Sequence, residues 1–380
     1  MLTSQSRRKK PKTLNSTRPH IALGLSGGVD SATSAALLLS QGYRVTGVTC
    51  IFNDADAGSA TEGMSAGLSG QPGQSSTIAA AEAVCRALGI DHVVYDAREV
   101  FRDQVIDPFV ADCAQGLTPS PCVTCNRFCK IPLLCQAADE LGCEKIATGH
   151  YARVVEDTVL HRFALKRALD ETKDQTYMLA LLTQEQLSRL VLPLGGYTKQ
   201  EVRQYALEQG IPVAKRPESQ DLCFVLGELD DFLAEQGIAD ESGPIVTRTG
   251  EVVGEHQGIH HFTLGQRKGL GVALGEPYFV VGKDAREKSI TIAPKEQAFI
   301  SAVEVVDLNW MLPLPTEPCS VKIRYRSKPV LAHLKALEDD RVRVQFFEPQ
   351  ILTAPGQCCA FYQGSVLLGG GIIDTVTLCA

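Results

Sequence analysis

The sequence predicts an α/β domain with a parallel sheet, followed by a small linking domain and a C-terminal β-barrel. Between residues 21 and 149, short apolar runs alternate with helical stretches, which is typical of a parallel sheet with helices on both faces. After residue 227, short alternating strands are separated by Gly, Pro or Asp turns, which is typical of a small barrel. We therefore expect domains at residues 18–227, 228–285 and 286–380.

The spacing of apolar residues gives the individual elements. In the first domain it predicts strands at 21–25, 45–52, 93–95 and 145–148, and helices at 32–39, 78–88, 100–113 and 131–141. In the C-terminal part it predicts strands at 278–281, 289–292, 321–325, 341–345 and 357–362. The segment 54–76 is rich in Gly, Ser and Ala, and we expect a mobile surface loop there.

Composition narrows the class of protein. The 380 residues are 44% hydrophobic and 21% charged, which suits a globular chain of two or three domains. No apolar run reaches the roughly 18 residues of a membrane span. The net charge of −7 argues against a uniformly basic nucleic-acid binder, but leaves room for a local basic face. The first twenty residues, with six Lys or Arg, are expected to form a disordered basic tail; a weak contact with tRNA or a fragment of an organelle-targeting peptide are the less favoured alternatives.

Cysteine usage indicates the compartment. The chain has 13 cysteines and no export signal, which favours a reducing, cytoplasmic location where thiols serve catalysis or metal binding. His260 and His261 look like a metal pair, but neighbours on a strand point to opposite faces. We therefore expect these two histidines to be structural.

A glycine turn, Ser-Gly-Gly-Val-Asp-Ser at 26–31, lies between the first predicted strand and the next helix. Gly27 and Gly28 allow close backbone approach, and the N–H groups at a helix start favour a bound phosphate. Asp30 could hold a Mg²⁺ bound to the same phosphates. The turn lacks the Gly-Lys-Ser/Thr ending of a Walker A loop. An ordinary capped turn is the alternative, and a nucleotide site is favoured.

Cys122 and Cys125 form a Cys-x-x-Cys that follows two prolines, just before a predicted helix. A thiol near a helix N-terminus has a lowered pKa and a raised reactivity. Cys129 could supply a third thiolate for zinc, but no fourth ligand has the usual spacing, so a reactive thiol is favoured. Cys223, in Ser-Gln-Asp-Leu-Cys-Phe, would by itself be taken as buried packing.

The order of several motifs resembles the tRNA-specific 2-thiouridylase family of pyrophosphatase-loop (PP-loop) enzymes over residues 20–375. The motifs are at 26–31, 121–126, 147–152, 173–177, 219–224, 261–271, 321–326 and 353–357. The resemblance implies a sheet of the adenine-nucleotide alpha hydrolase-like type, and it implies ATP and Mg²⁺. Members of this family adenylate the C2 oxygen of the wobble uridine of tRNA and replace it with sulfur. The products are 2-thiouridine, AMP and pyrophosphate.

The resemblance also implies roles for individual residues. Cys223 would carry a persulfide and Cys125 would attack it, leaving a transient disulfide between the two. The residues at ATP would be Gly24, Leu25, Ser26, Gly27, Gly28, Val29, Asp30, Ser31, Cys50 and Gly149. The flipped target base would meet Ser120, Pro121 and Cys122. The tRNA contacts would be His150, Lys173, Asp174, Gln175, Arg324, Tyr325 and Gln357. The implied partners are the anticodon region of tRNA and a sulfur-relay or cysteine-desulfurase donor protein, with no membrane.

Cys122 departs from the family pattern, because some relatives have an acid/base aspartate there. With Cys125 and Cys223 it could instead hold an iron–sulfur cluster, although persulfide chemistry is favoured. Two other functions compete with thiolation. A PP-loop ligase acting on a small molecule would not require two distant reactive cysteines or a barrel. A non-enzymatic cysteine-cluster protein would leave the turn at 26–31 unexplained.

Overall fold

The structure, a computed structural model, describes residues 18–53, 77–217, 222–225 and 227–379. The basic tail predicted before residue 18 and the loop predicted at 54–76 lie outside the described residues. Within the described ranges, every helix is too short or too polar to cross a membrane.

The first domain is built around a parallel sheet. Its strands in chain order are β1 (His20–Gly24), β2 (Arg44–Ile51), β3 (Asp91–Asp96), β4 (Lys145–Ala147), β5 (Ala152–Asp157), β6 (Arg162–Arg167) and β7 (Leu190–Val191). Five of these described strands pair in the order β3-β2-β1-β4-β7, and all their pairings are parallel. The predicted parallel sheet is therefore confirmed. The antiparallel β5–β6 hairpin and the short β7 were not predicted.

Helices cover both faces of this sheet, as predicted. The described helices of the chain are α1 (Val29–Ser40), α2 (Thr77–Leu88), α3 (Arg98–Phe101, Arg102–Ile106 and Asp107–Ala114), α4 (Pro121–Cys125, Asn126–Lys130 and Ile131–Leu141), α5 (Gln184–Arg189), α6 (Lys199–Glu208) and, at the start of the linking domain, α7 (Leu229–Glu235). The middle segments of α3 and α4 are π-helical. Side chains alternate along β1: Ala22 packs with Leu134 of α4, whereas Ile21 and Leu23 pack with Ala81 of α2.

The linking domain contains a mixed sheet. Its strands are β8 (Gly243–Thr247), β9 (Val252–His256), β10 (Tyr278–Asp284) and β11 (Ser289–Pro294), in the order β10-β11-β8-β9. The predicted boundary between residues 285 and 286 falls in the turn between β10 and β11, so the sheet continues past it to Pro294. His260 and His261 lie in a 3-10 turn, Ile259–His261, so the expectation that they point to opposite faces of a strand was wrong.

The predicted C-terminal β-barrel is confirmed. Its strands are β12 (Phe299–Trp310), β13 (Cys319–Lys322), β14 (Val330–Ala336), β15 (Val342–Ile351), β16 (Cys358–Gln363) and β17 (Val366–Leu378). These six described strands run in the order β12-β15-β14-β13-β16-β17, and pairing of β12 with β17 closes the barrel. The strand predicted at 321–325 ends at Lys322, which leaves Arg324 and Tyr325 in a turn.

The β5–β6 hairpin joins the first domain to the barrel. β6 pairs with β17, with Leu165 opposite Leu367. Leu165 and Leu367 belong to one buried apolar core with Tyr177 of the first domain and Ala360 of the barrel. The hairpin of the first domain therefore extends the sheet of the barrel, whereas the parallel sheet remains separate and shares only the apolar core with it.

Candidate functional site

A cleft of about 950 Å³ opens where the parallel strands end. Gly24 ends β1, Cys50 is the second-last residue of β2, and Gly149 lies just after β4. The carboxyl edge of a parallel sheet is the usual ligand site of such folds. The residues of the predicted site that line the cleft are Gly24, Leu25, Ser26, Gly28, Val29, Asp30, Ser31, Cys50, Gly149, His150, Lys173, Asp174, Gln175, Cys223 and Tyr325.

At two positions of the site, one in the turn and one just after β4, a side chain larger than that of glycine would clash with neighbouring atoms. Gly27 has a φ of +66°, and a Cβ there would lie 2.8 Å from the Cβ of Ala80. A Cβ on Gly149 would lie 2.8 Å from the backbone nitrogen of Ser31. Gly27 therefore lets α2 approach the turn, and Gly149 lets the segment after β4 approach the first turn of α1, whose N-cap, Gly28, has no side-chain cap. The backbone N–H groups of that turn therefore suit an anionic group such as a phosphate.

Ser26 and Ser31 hold the turn in shape. The Ser31 hydroxyl donates to the Gly28 carbonyl at 3.1 Å and accepts from the Ser26 backbone N–H at 3.2 Å. The two hydroxyl oxygens lie 3.2 Å apart. From outside the turn, the Arg216 guanidinium donates to the Gly27 carbonyl at 3.0 Å.

Asp30 is paired with a lysine that the sequence pattern did not indicate. Both of its carboxylate oxygens accept from Lys199 Nζ at 2.8 Å, and the Tyr151 hydroxyl donates to Oδ1 at 2.8 Å. Lys199 is the first residue of α6, where Thr198 and Glu201 form a capping box. Asp30 therefore orients an ammonium group beside the turn, and its fit as a direct Mg²⁺ ligand requires this ion pair to open.

The cleft is locally basic, although the chain as a whole is acidic. Its cationic lining residues are Lys130, Lys173, Lys199, Arg216, Lys322 and Arg326, against Asp30, Glu171 and Asp174. Of these cations, only Lys173 was among the predicted site residues. A positive cleft lined by low-dielectric walls attracts polyphosphate and the backbone of nucleic acid.

Cys125 lies in the second turn of α4 and is buried among apolar side chains. The pKa of its thiol is lowered to about 6, first by a hydrogen bond from the Cys129 thiol and then by Lys130. The same hydrogen bond and burial raise the pKa of Cys129, which stays protonated. The expected activation of a thiol therefore falls on Cys125. Desolvation raises the pKa of the Cys122 thiol, although part of that residue is exposed, so the lowering expected there was wrong.

Cys223 is exposed, and the residue after it is anchored. Phe224 contacts the rings of Phe101, Phe109 and Phe232 edge-on, at centroid distances of 5.8, 5.4 and 5.4 Å. Phe224 and Cys125 belong to the same apolar cluster. The fold therefore brings the Cys223 segment against the helix that carries Cys125, despite their separation in sequence.

The predicted target-base loop is attached to the barrel. The Ser120 hydroxyl accepts from the Cys358 backbone N–H at 3.3 Å, and Thr118 N–H donates to the Pro355 carbonyl at 3.2 Å. Gln357, predicted to contact tRNA, donates to the Thr118 carbonyl at 2.6 Å. Ser120 precedes α4, and Pro121 and Cys122 form its first turn. These three residues and Gln357 therefore meet at the interface between the two domains.

Two predicted tRNA contacts have internal partners. Asp174 is buried and accepts from the Ala168 backbone N–H at 3.1 Å and the Thr176 hydroxyl at 2.7 Å. Gln175 Oε1 accepts from the Tyr151 backbone N–H at 2.9 Å. In this structure both residues hold the wall of the cleft.

Of the other residues predicted to contact tRNA, Arg324 and His150 also contact protein groups, and Tyr325 lines the cleft. The Arg324 guanidinium donates to the carbonyls of Leu264 and Leu352. His150 Nδ1 lies 2.8 Å from the Thr148 hydroxyl, and desolvation lowers the pKa of His150 to about 3, so it is neutral at pH 7. Tyr325 lies on the cleft with Lys322 Nζ 5.6 Å from its ring centroid.

The fold and the cleft define a nucleotide-binding α/β protein whose site is completed by a β-barrel. A profile described as tRNA methyl transferase HUP domain matches residues 19–227. Profiles described as tRNA methyl transferase PRC-barrel domain and Aminomethyltransferase beta-barrel domain match residues 230–294 and 301–373.

Full-length relatives give the particular family. The tRNA-specific 2-thiouridylase MnmA of Synechococcus sp. (strain JA-2-3B'a(2-13)) is 44% identical over 94% of this chain and 95% of its own length. The proteins of that name from Rippkaea orientalis and Synechocystis sp. are 44% and 41% identical, each over 93% of this chain and over 99% and 96% of their own lengths. The chain belongs to the tRNA-specific 2-thiouridylase family.

Proposed function

We propose that this protein is an ATP-dependent tRNA-uridine 2-sulfurtransferase that converts the wobble uridine of tRNA to 2-thiouridine. The observation that carries the proposal is the combination of a basic cleft at the glycine turn with two cysteines in contrasting environments. Cys223 lines the cleft, and Cys125 lies on the helix packed against the Cys223 segment. The names of the full-length relatives support the same reaction.

ATP activates the uridine. An amide-like carbonyl oxygen is a poor leaving group, and transfer of AMP to O2 makes it a good one while pyrophosphate leaves. The turn at 26–31 would hold the phosphates through backbone N–H groups, and Lys199 would neutralise their charge after Asp30 has positioned it. Cys50 and Gly149 would border the nucleotide.

Sulfur transfer then requires both cysteines. The outer sulfur of a Cys223 persulfide attacks C2 and displaces AMP, which leaves the base bound to Cys223 through a disulfide. The Cys125 thiolate attacks the Cys223 sulfur, which releases the 2-thiocarbonyl and forms a Cys125–Cys223 disulfide. A dithiol reductant restores the two thiols. The lowered pKa of Cys125 keeps its sulfur in the reactive thiolate form at neutral pH.

Mg²⁺ would accompany ATP and neutralise charge on the leaving pyrophosphate. The sulfur would come from a donor protein of the sulfur-relay or cysteine-desulfurase class, and the exposure of Cys223 supports direct access by such a donor. We infer a cytoplasmic location, where thiols stay reduced. An iron–sulfur mechanism is not favoured, because Cys125 is enclosed by apolar side chains whereas Cys122 and Cys223 are exposed.

The tRNA would bind across the cleft and the barrel. Lys173 and Tyr325 line the cleft opposite the glycine turn and suit contacts with the backbone and with an unstacked base. Ser120, Pro121 and Cys122 would border the flipped uridine. His150, Asp174, Gln175, Arg324 and Gln357 would support this surface through their contacts with the protein.

The test is sulfur incorporation into unmodified tRNA by the full chain, supplied with Mg·ATP and a low-molecular-weight persulfide. We expect 2-thiouridine at the wobble position, with one pyrophosphate released for each sulfur inserted. A tRNA with cytidine at that position is the matched control and should gain no sulfur. Sulfur insertion without ATP, or equal insertion into the cytidine tRNA, would refute the proposed function.

A further inference from the structure

Two histidines and two aspartates form a cluster in the linking domain, outside the described lining of the cleft. His261 Nε2 lies 2.9 Å from Asp240 Oδ1, and His260 Nε2 lies 3.2 Å from the same oxygen. Oxygen and nitrogen ligand atoms from Asp240, His260 and His261 all lie within 4.8 Å of one another. On the other side of the ring, His261 Nδ1 lies 2.8 Å from Asp230 Oδ2.

From this cluster we infer a second functional site, one that binds a zinc-class transition-metal ion through Asp240, His260 and His261. Zinc bonds to imidazole nitrogen and carboxylate oxygen are about 2.0–2.2 Å, so neighbouring ligands in a tetrahedron lie roughly 3.3 Å apart. The observed separations from Asp240 Oδ1 are close to this value. A water molecule would complete the coordination, since the Asp240 side chain is 63% exposed.

Asp230 supplies the support that metal-binding histidines usually have. By accepting from Nδ1–H of His261, it fixes the tautomer that leaves the Nε2 lone pair directed at Asp240. A neutral imidazole donates from one nitrogen only, so its second close carboxylate contact needs a cation, either a proton or a metal ion. The adjacent rings have centroids 4.1 Å apart, which disfavours a positive charge on both imidazoles, whereas two neutral imidazoles can share one metal ion.

Gly258 provides the space for the paired rings. A Cβ at this position would lie 2.5 Å from Cε1 of His260 and 3.1 Å from Cδ2 of His261. The φ of Gly258 is −176°, so the backbone itself would accept any residue. Only the space taken by the two imidazoles requires glycine, which indicates a built pocket.

The metal ion would restrict the movement of the segment around Cys223, the proposed persulfide carrier. Asp230 lies on α7, and Phe232 of the same helix contacts Phe224, the neighbour of Cys223. Asp240 and the turn with His260 and His261 belong to the linking domain. Metal binding would therefore fix α7, and with it the base of the Cys223 segment, against the 3-10 turn of the same domain without entering the cleft.

The experiment is metal binding by chelator-treated full-length protein. We expect one Zn²⁺ per chain by elemental analysis after dialysis. The Co²⁺ derivative should show d–d bands without the near-ultraviolet sulfur-to-cobalt charge transfer that cysteine sites give. His260→Gln and Asp240→Asn should abolish this binding, and Asp230→Asn should weaken it about 10–100-fold in competition with a chelator.

Asp231→Asn, which removes the same charge from the neighbouring position of α7, is the matched control and should bind Zn²⁺ as the unaltered protein does. A variant with Cys122, Cys125 and Cys223 all changed to Ser should also keep its one equivalent. Circular dichroism checks that each variant is folded. Absence of binding, binding that survives in His260→Gln, or binding lost with the cysteines would each overturn the inference.

Discussion

Compared with Cys223, Cys125 lies in a far more constrained part of the molecule. Cys125 is on a helix, is buried, and has its thiolate stabilised by Cys129 and Lys130. Cys223 is exposed beside the cleft, and its segment is held by packing of Phe224 and by a hydrogen bond from Asn53 Nδ2 to the Cys223 carbonyl. The difference suits a division of labour, because a persulfide carrier must meet a donor and a substrate, whereas the thiol that ends the reaction needs a fixed position and a low pKa.

The largest effect should come from removing either sulfur. Cys125→Ser and Cys223→Ser should each lower thiolation by roughly 10³-fold or more. They should differ in what accumulates: Cys125→Ser should trap a tRNA joined to Cys223 by a reducible bond, and Cys223→Ser should not. Non-reducing gels with labelled tRNA measure the adduct. Equal behaviour of the two variants would contradict the assigned roles.

The next effect concerns the anchor of the Cys223 segment. Phe224→Ala removes a ring packed against three others, and loss of positioning by about 1 Å costs on the order of 10² in rate. We expect the rate of thiolation to fall while the KM for ATP is unchanged. Phe347→Ala, at an exposed position of the barrel, is the control. A normal thiolation rate in folded Phe224→Ala would show that the segment is positioned by other contacts.

Lys130 should matter through the pKa of Cys125. Lys130→Met should raise that pKa from about 6, so less thiolate is present at pH 7 and thiolation falls about tenfold. The loss of thiolation should disappear at alkaline pH, because the Cys125 thiol is then deprotonated in the variant and in the unaltered protein alike. A pH–rate profile measures this shift, with Lys130→Arg and Arg127→Gln as charge-retaining and neighbouring controls. A loss that is the same at every pH would point to a structural role instead.

The smallest effect is expected at the domain interface. Gln357→Ala removes a hydrogen bond to the Thr118 carbonyl and should cost about 1 kcal/mol of stability. Thermal unfolding should shift down by a few degrees, and the KM for tRNA should rise with the KM for ATP unchanged. Gln363→Ala, at an exposed position at the end of β16, the strand that follows Gln357, is the control. A raised KM for ATP alone would contradict a role at the target-base loop.

The contrast between the two thiols also shows what sequence could predict. The strand, glycine turn and helix around Asp30 form a local pattern, so the sequence alone predicts the parallel sheet and the turn before α1, whereas the other predicted residues that line the cleft follow from the family resemblance. Lys199 was missed because only the packing of α6 against α1 brings it to Asp30. The Thr198-x-x-Glu201 capping box would have located that helix start.

Other misses have different physical causes. Lys130 ends a π-helical segment, where the extra residue per turn changes which side chains share a face. Arg324 was assigned to a strand because alternation continues past Lys322, whereas the chain turns there. The long strands β12 and β17 were not predicted, because register shifts along them interrupt the alternation of apolar and polar residues that indicates a strand. The histidine pair was judged by strand geometry, but it lies in a 3-10 turn.

The β5–β6 hairpin has a consequence for how the protein is made. Leu165 leaves the ribosome about two hundred residues before its strand partner Leu367, so their shared core stays incomplete until β17 has been made. Such a distant pairing is slow to form and leaves an apolar edge open in the meantime. We therefore expect the first domain to be most prone to aggregation before β17 emerges and covers this apolar edge.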